Sequence, residues 1–119
     1  MHGLGELEAA VMDSLWRAKE PLKVREVLER LDTGKPLAYT TVMTVLDNLH
    51  RKAWVQRDLD HRAYRYRPAF SRAEASARAL RAVLDSSGDP EAVLLHFAQS
   101  VSEQESDVLR RALRGKHLP

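Results

Sequence analysis

The sequence predicts a mainly α-helical chain with one small β-hairpin, in the order three helices, two strands, three helices. Three observations carry the prediction. Apolar residues recur at helical spacing towards both ends, the period switches to two between Trp54 and Arg67, and Pro and Gly mark the breaks. A balance of 44% hydrophobic and 30% charged residues in 119 is that of a folded chain rather than a disordered one.

The first helix is read from Glu6 to Ala18, where Leu7, Ala10, Val11, Leu15 and Ala18 form a stripe. A second set, Val24, Val27, Leu28 and Leu31, follows Pro21, and TGKP (Thr33 to Pro36) then breaks the chain. In the third helix Val42, Val45, Leu46, Leu49 and Ala53 share one side at about 100° per residue. Thr40, Met43, Thr44, Asp47, Asn48 and Arg51 point away from it.

The hairpin runs from Trp54 to Leu59, turns at Asp60, His61 and Arg62, and returns from Ala63 to Arg67 with Pro68 as terminator. Tyr64 and Tyr66 share one strand face, and Arg65 and Arg67 the other. Three more helices carry cap signatures at their starts: Ser71 with Glu74, Asp89 before Pro90, and Ser102 with Glu105. Gly88 and Gly115 signal stops. A winged helix-turn-helix over residues 1–70, followed by a helical appendage over 71–119, which the family resemblance given below implies is a dimerisation lobe, has this order. Trp16 and Trp54 are expected to pack where helices and wing join.

The formal net charge is only +2, so a polyanion partner must be met by a local patch. From His50 to Arg67 six basic residues face two acidic ones, whereas from Ser71 to Pro119 seven face seven. The basic excess is local to the hairpin. No cysteine is present, which removes disulfides, thiolate metal sites and a Cys nucleophile and fits a reducing compartment. No apolar run approaches the roughly 20 residues that span a bilayer, and MHGLGELEAA lacks an export signal, so a cytoplasmic location is expected.

An α-helix fits the major groove and reads base edges with side chains that point away from its own core. Short hydroxyls and a methionine on the outward face suit thymine methyls, Asn48 suits adenine, and Arg51 suits guanine or phosphate. Arg57, His61, Arg62, Arg65 and Arg67 on the hairpin suit the DNA backbone. A polar helix face taken alone is more often a solvated face, and hairpin arginines often only guard an edge. The succession of helix, turn, helix and basic hairpin is what favours DNA.

From Gly5 to Leu113 the chain resembles the BlaI/MecI family of bacterial winged-helix repressors. The resemblance is carried by LEAAVMDSLW (Leu7 to Trp16), LAYTTVMTVLDNLHRKAWV (Leu37 to Val55), YRYRP (Tyr64 to Pro68) and VLLHFAQSVSEQE (Val93 to Glu105). It implies a homodimeric repressor on a palindromic double-stranded DNA operator, controlling β-lactamase or cell-wall-related genes. Base contacts are then expected from Thr40, Thr41, Met43, Thr44 and Asn48, with Thr41 also lying towards the backbone. Phosphate contacts are expected from Tyr39, Arg51, Lys52, Arg62, Arg65 and Arg67. Dimerisation falls to Leu80, Leu84, Val93, Leu94, Phe97, Val101, Val108, Leu109 and Leu113.

Ala38 stands where family members often have a capping Ser, and Thr40 is expected to take over the cap. The resemblance also implies inactivation by an antibiotic-sensing membrane metalloprotease, whose cleavage step aligns with His96-Phe97; His96 stands where the family has Asn. Phe97 is read equally as a packing residue of the dimer.

No cofactor, metal or small-molecule substrate is expected. His2, His50, His61, His96 and His117 show no close ligand spacing, and the cysteine-rich tail of copper-responsive relatives is absent. Asp58, Asp60 and His61 lie on a turn with no nucleophile partner, and there is no glycine-rich phosphate loop. An enzyme is therefore not expected. The alternative is a winged-helix protein-interaction module without sequence-specific DNA binding.

Overall fold

The computed structural model describes residues 3–116. Among them run α1 (Glu6–Arg17), β1 (Leu22–Lys23), α2 (Val24–Arg30), α3 (Tyr39–Arg51), β2 (Val55–Asp60), β3 (Ala63–Pro68), α4 (Arg72–Ser86), α5 (Pro90–Ser100) and α6 (Glu103–Lys116). The order of three helices, wing and three helices is the one the sequence predicts. The chain divides into two units between Ala79 and Leu80, inside α4, whereas the sequence places a boundary after Phe70. The start of α4 lies with the first unit: Ala75 is buried there, and Arg72 binds Asp13 of α1 and stacks 4.9 Å over Trp16.

The first unit has a single core. Val11, Met12 and Leu15 of α1, Val24 and Val27 of α2, and Val42, Val45, Leu46 and Leu49 of α3 meet Leu22, Val55 and Tyr66 of the sheet. Full burial of such a side chain stabilises by about 1.5–3 kcal/mol, so this cluster sets where α3 can lie. The expected stripe on α3 is what the core takes, apart from Ala53. That residue is exposed and lies beyond the helix in a left-handed conformation, φ 65°.

Ala53 closes a Schellman motif. The Trp54 N–H donates to the Leu49 carbonyl at 2.9 Å and the Ala53 N–H to the His50 carbonyl at 3.1 Å. At the other end of α3, Ala38 supplies no side-chain cap and Thr40 does not replace one; the Ala38 carbonyl accepts the Thr41 and Val42 N–H groups at 3.1 and 3.3 Å. A methyl group has no acceptor to offer, so the helix start is left to backbone bonds.

The hairpin is part of a three-stranded antiparallel sheet in the order β1-β3-β2. β1 pairs Leu22 with Tyr66 and Lys23 with Arg65, so β3 is central. Two residues are too few to show a period of two, which is why the sequence did not betray this strand. Trp16 and Trp54 sit partly buried against the core, with Trp16 Nε1 donating to the Phe70 carbonyl at 2.9 Å and the Trp54 carbonyl accepting from Ala69 at 2.9 Å.

In the second unit the cap signatures hold. Ser102 and Glu105 form a capping box at 2.8 and 3.1 Å, as Ser71 and Glu74 do at the start of α4, and Asp89 accepts from the Ala92 N–H at 3.1 Å. Gly88 takes φ 82° after α4. Gly115, expected as a stop, lies instead inside α6, which continues to Lys116; a helical glycine costs only about 1 kcal/mol. No described residue of α5 or α6 is buried. Among the described residues no helix is long and apolar enough to cross a membrane.

Candidate nucleic-acid interface

Burial of Val42, Val45, Leu46 and Leu49 turns the opposite side of α3 to solvent. Tyr39, Thr40, Thr41, Met43 and Thr44 are exposed there, and Asn48 is half-buried. The Thr44 hydroxyl donates back to the Thr40 carbonyl at 2.9 Å, which satisfies its proton. Asn48 accepts a hydrogen bond from Arg51 through Oδ1, leaving the amide NH2 to donate.

The strand register sorts the wing. Arg57 lies opposite Tyr66, so it shares the core-facing side with Tyr64 and Tyr66. Arg65 and Arg67 occupy the outer side, across from Asp58 and Gln56. There Arg67 pairs with Asp58, while Arg65 meets Asp60 at 2.6 Å and Glu26 at 3.5 Å. The Arg65 hydrogen bond lowers the Asp60 pKa from its ordinary 3.8. Lys52 is held by Glu8 at 2.9 and 3.0 Å, at the start of α1. Arg62, on the two-residue turn beside His61 (φ 60°), is exposed and has no carboxylate partner among the described residues.

A groove of about 700 Å³ gathers Tyr39 and Met43 of α3 with Arg57, Arg62 and Tyr64 of the wing. Lys23 and Arg25, at the start of α2, line the same groove, and Arg25 stacks 5.8 Å from the Tyr39 ring centroid. Sequence reasoning missed both. Their signal was a local inconsistency, since two cations opening a helix oppose its dipole. The structure thus brings Tyr39, Met43 and Arg62 together, and places Arg65, Arg67 and Lys52 outside this groove on partners of their own.

Elsewhere, His96 and Phe97 are exposed in the middle of α5. Among the described residues no group of three or more His, Cys, Asp or Glu side chains is placed to hold a metal ion; His2 and His117 lie outside those residues. Tyr66 is buried, and burial raises its pKa above the ordinary 10.0.

A helix with an outward polar face, seated beside a three-stranded wing with a basic tip, defines a winged-helix protein of the DNA-binding kind. The profile of the penicillinase repressor family matches residues 4–115. The transcriptional regulator BlaI of Mycobacterium tuberculosis is 48% identical over 113 residues, spanning 92% of this chain and 82% of that protein. The chain belongs to the penicillinase repressor family, a family of transcriptional repressors and not of enzymes.

Solved structures agree on the fold. A probable transcriptional regulator from Pseudomonas aeruginosa superposes with a TM-score of 0.51 at 20% identity, covering 95% of this chain and 78% of that one. A variant of MepR from Staphylococcus aureus, bound to an oligodeoxyribonucleotide, does so at 0.50 and 15%, covering 95% and 77%.

Proposed function

We propose that the protein represses transcription as a homodimer on a palindromic operator, with α3 in the major groove and Arg62, Lys23 and Arg25 on the flanking phosphates. The observation that carries this reading is the groove in which Tyr39 and Met43 of α3 meet the basic start of α2 and the wing-tip Arg62, which has no carboxylate partner among the described residues. Phosphate contacts of this kind supply affinity and register, while Met43, Thr44 and Asn48 supply the sequence preference.

The dimer is supported by the second unit. Leu80, Val93, Leu94, Phe97, Val108, Leu109 and Leu113 are exposed, as are Val83 and Leu95, while Leu84 and Val101 are half-buried. Scattered apolar exposure is ordinary, but a lobe in which no described residue of α5 or α6 is fully buried needs a cover. A second copy provides it and fixes two winged helices at half-sites about one DNA turn apart. β-lactamase or cell-wall-related genes are the targets the family suggests, with release by proteolysis within α5 by an antibiotic-sensing membrane metalloprotease.

Sedimentation of the full chain, alone and on duplex DNA at a series of salt concentrations, tests this reading. The mass of two chains and an affinity that falls by about 10³ or more between 50 and 200 mM salt are expected. One chain per particle, or an affinity indifferent to salt, would favour the protein-interaction module.

A further inference from the structure

The wing holds one arginine whose surroundings differ from the rest. Arg57 leaves the sheet on the side that faces α3, and its Nη1 meets Asp47 Oδ1 at 3.0 Å. Its guanidinium lies 4.2 Å from the Tyr64 ring centroid, so the cation is flanked by a carboxylate and an aromatic face. The Arg57 side chain is 24% exposed, against 36% for Arg65 and 42% for Arg67. It is the most enclosed of the paired wing arginines.

Asp47 poses the complementary problem. It belongs to the outward side of α3, where a bare carboxylate repels phosphates and meets few donors on base edges. Arg57 compensates that charge and, from ten residues further along the chain, ties strand β2 to the helix. A planar guanidinium held by an ion pair and a ring has little freedom left to swing to a phosphate.

We infer that Arg57 is a positioning residue, which with Asp47 and Tyr64 fixes the angle between wing and recognition helix and so sets sequence selectivity without touching DNA. This rests on the operator-binding reading above. The wing cations then meet the backbone only when α3 sits in register, and a loosened wing lets them meet it in any register. Selectivity therefore falls while the number of phosphate contacts stays the same.

The test uses the full chain and a charge-balanced double variant, Arg57→Met with Asp47→Asn. Wild-type protein is first given a random duplex pool, and the selected duplex and an unselected one are then titrated against both proteins over a salt series. The expected result is a fall of about tenfold in the ratio of selected to unselected affinity, with an unchanged salt slope. A shallower slope and equal loss on both duplexes would make Arg57 a phosphate contact and overturn the inference. Unchanged selectivity with a lowered Tm would make the pair merely structural and overturn it too.

The single variant Asp47→Asn gives a second reading if the double variant folds poorly. A pin predicts reduced selectivity, whereas a phosphate contact released from Asp47 predicts tighter binding to both duplexes in proportion. If wild-type protein selects no sequence at all, the operator-binding reading itself fails; if it selects one and the variants keep it, only the role given to Arg57 fails.

Discussion

On the proposed operator, Thr44 and Arg62 divide the work by chemistry. Thr44 is exposed and its hydroxyl proton is committed to the Thr40 carbonyl, so what it has to offer a thymine methyl is an apolar contact and no charge. Replacing it by Ala is expected to cost about 1–3 kcal/mol of preference at one base position, with little change on random DNA, measured by competition between matched and mismatched duplexes. Arg62 carries charge and no partner among the described residues, so Arg62→Ala is expected to weaken all duplexes alike and to lower the salt slope by about 1 per half-site. Arg65→Ala is expected to do less than Arg62→Ala, because Arg65 must first leave Asp60 and Glu26. The outward residues of α3 were legible in the sequence because a 3.6-residue period sorts them; the ion pairs were not, because Asp58, Asp60 and Glu26 become neighbours of arginines only through strand register and tertiary packing.

At the scale of elements, α3 ends on a residue under strain. Ala53 holds φ 65°, a conformation that costs an L side chain about 1–2 kcal/mol and glycine almost nothing. Ala53→Gly is therefore expected to stabilise the first unit by up to about 1 kcal/mol, after the entropy of the freer unfolded chain is subtracted, and urea titration checks it. A drop in stability would mean that the methyl of Ala53 packs usefully. The sequence misplaced this residue because helical period alone continues the stripe of α3 past its end, and only the Schellman bonds show where the chain turns. Caps were read better: Ser71, Asp89 and Ser102 signal through local bonds three residues apart, which need no tertiary context. In α6, Leu109 is exposed, and if the proposed dimer forms through this face, Leu109→Asp is expected to split it and weaken operator binding by about two orders of magnitude, read by sedimentation and anisotropy.

For the molecule as a whole, acid provides a test of how the first unit is tied together. The Arg72 hydrogen bond lowers the Asp13 pKa from its ordinary 3.8, and the Arg65 hydrogen bond does the same for Asp60. A carboxylate whose folded pKa lies below its unfolded one stabilises above the unfolded value, and that stability is lost as pH falls through the folded value. The urea midpoint is thus expected to fall as pH drops below 3.8, and Asp13→Asn is expected to flatten that fall. The layout of the first unit was legible because its helices and wing announce themselves by period. The second unit was legible as helices and as an apolar set, but not as a fold, since no described residue of α5 or α6 is buried in the single chain.

The most direct test of the central claim is selection from a random double-stranded DNA pool by the purified 119-residue chain in physiological salt, with the retained duplexes sequenced after several rounds. A dimeric winged-helix repressor predicts an inverted repeat whose half-sites lie about one helical turn apart. Retention without any enriched sequence would contradict it, leaving a basic wing that holds DNA but a helix that does not read it.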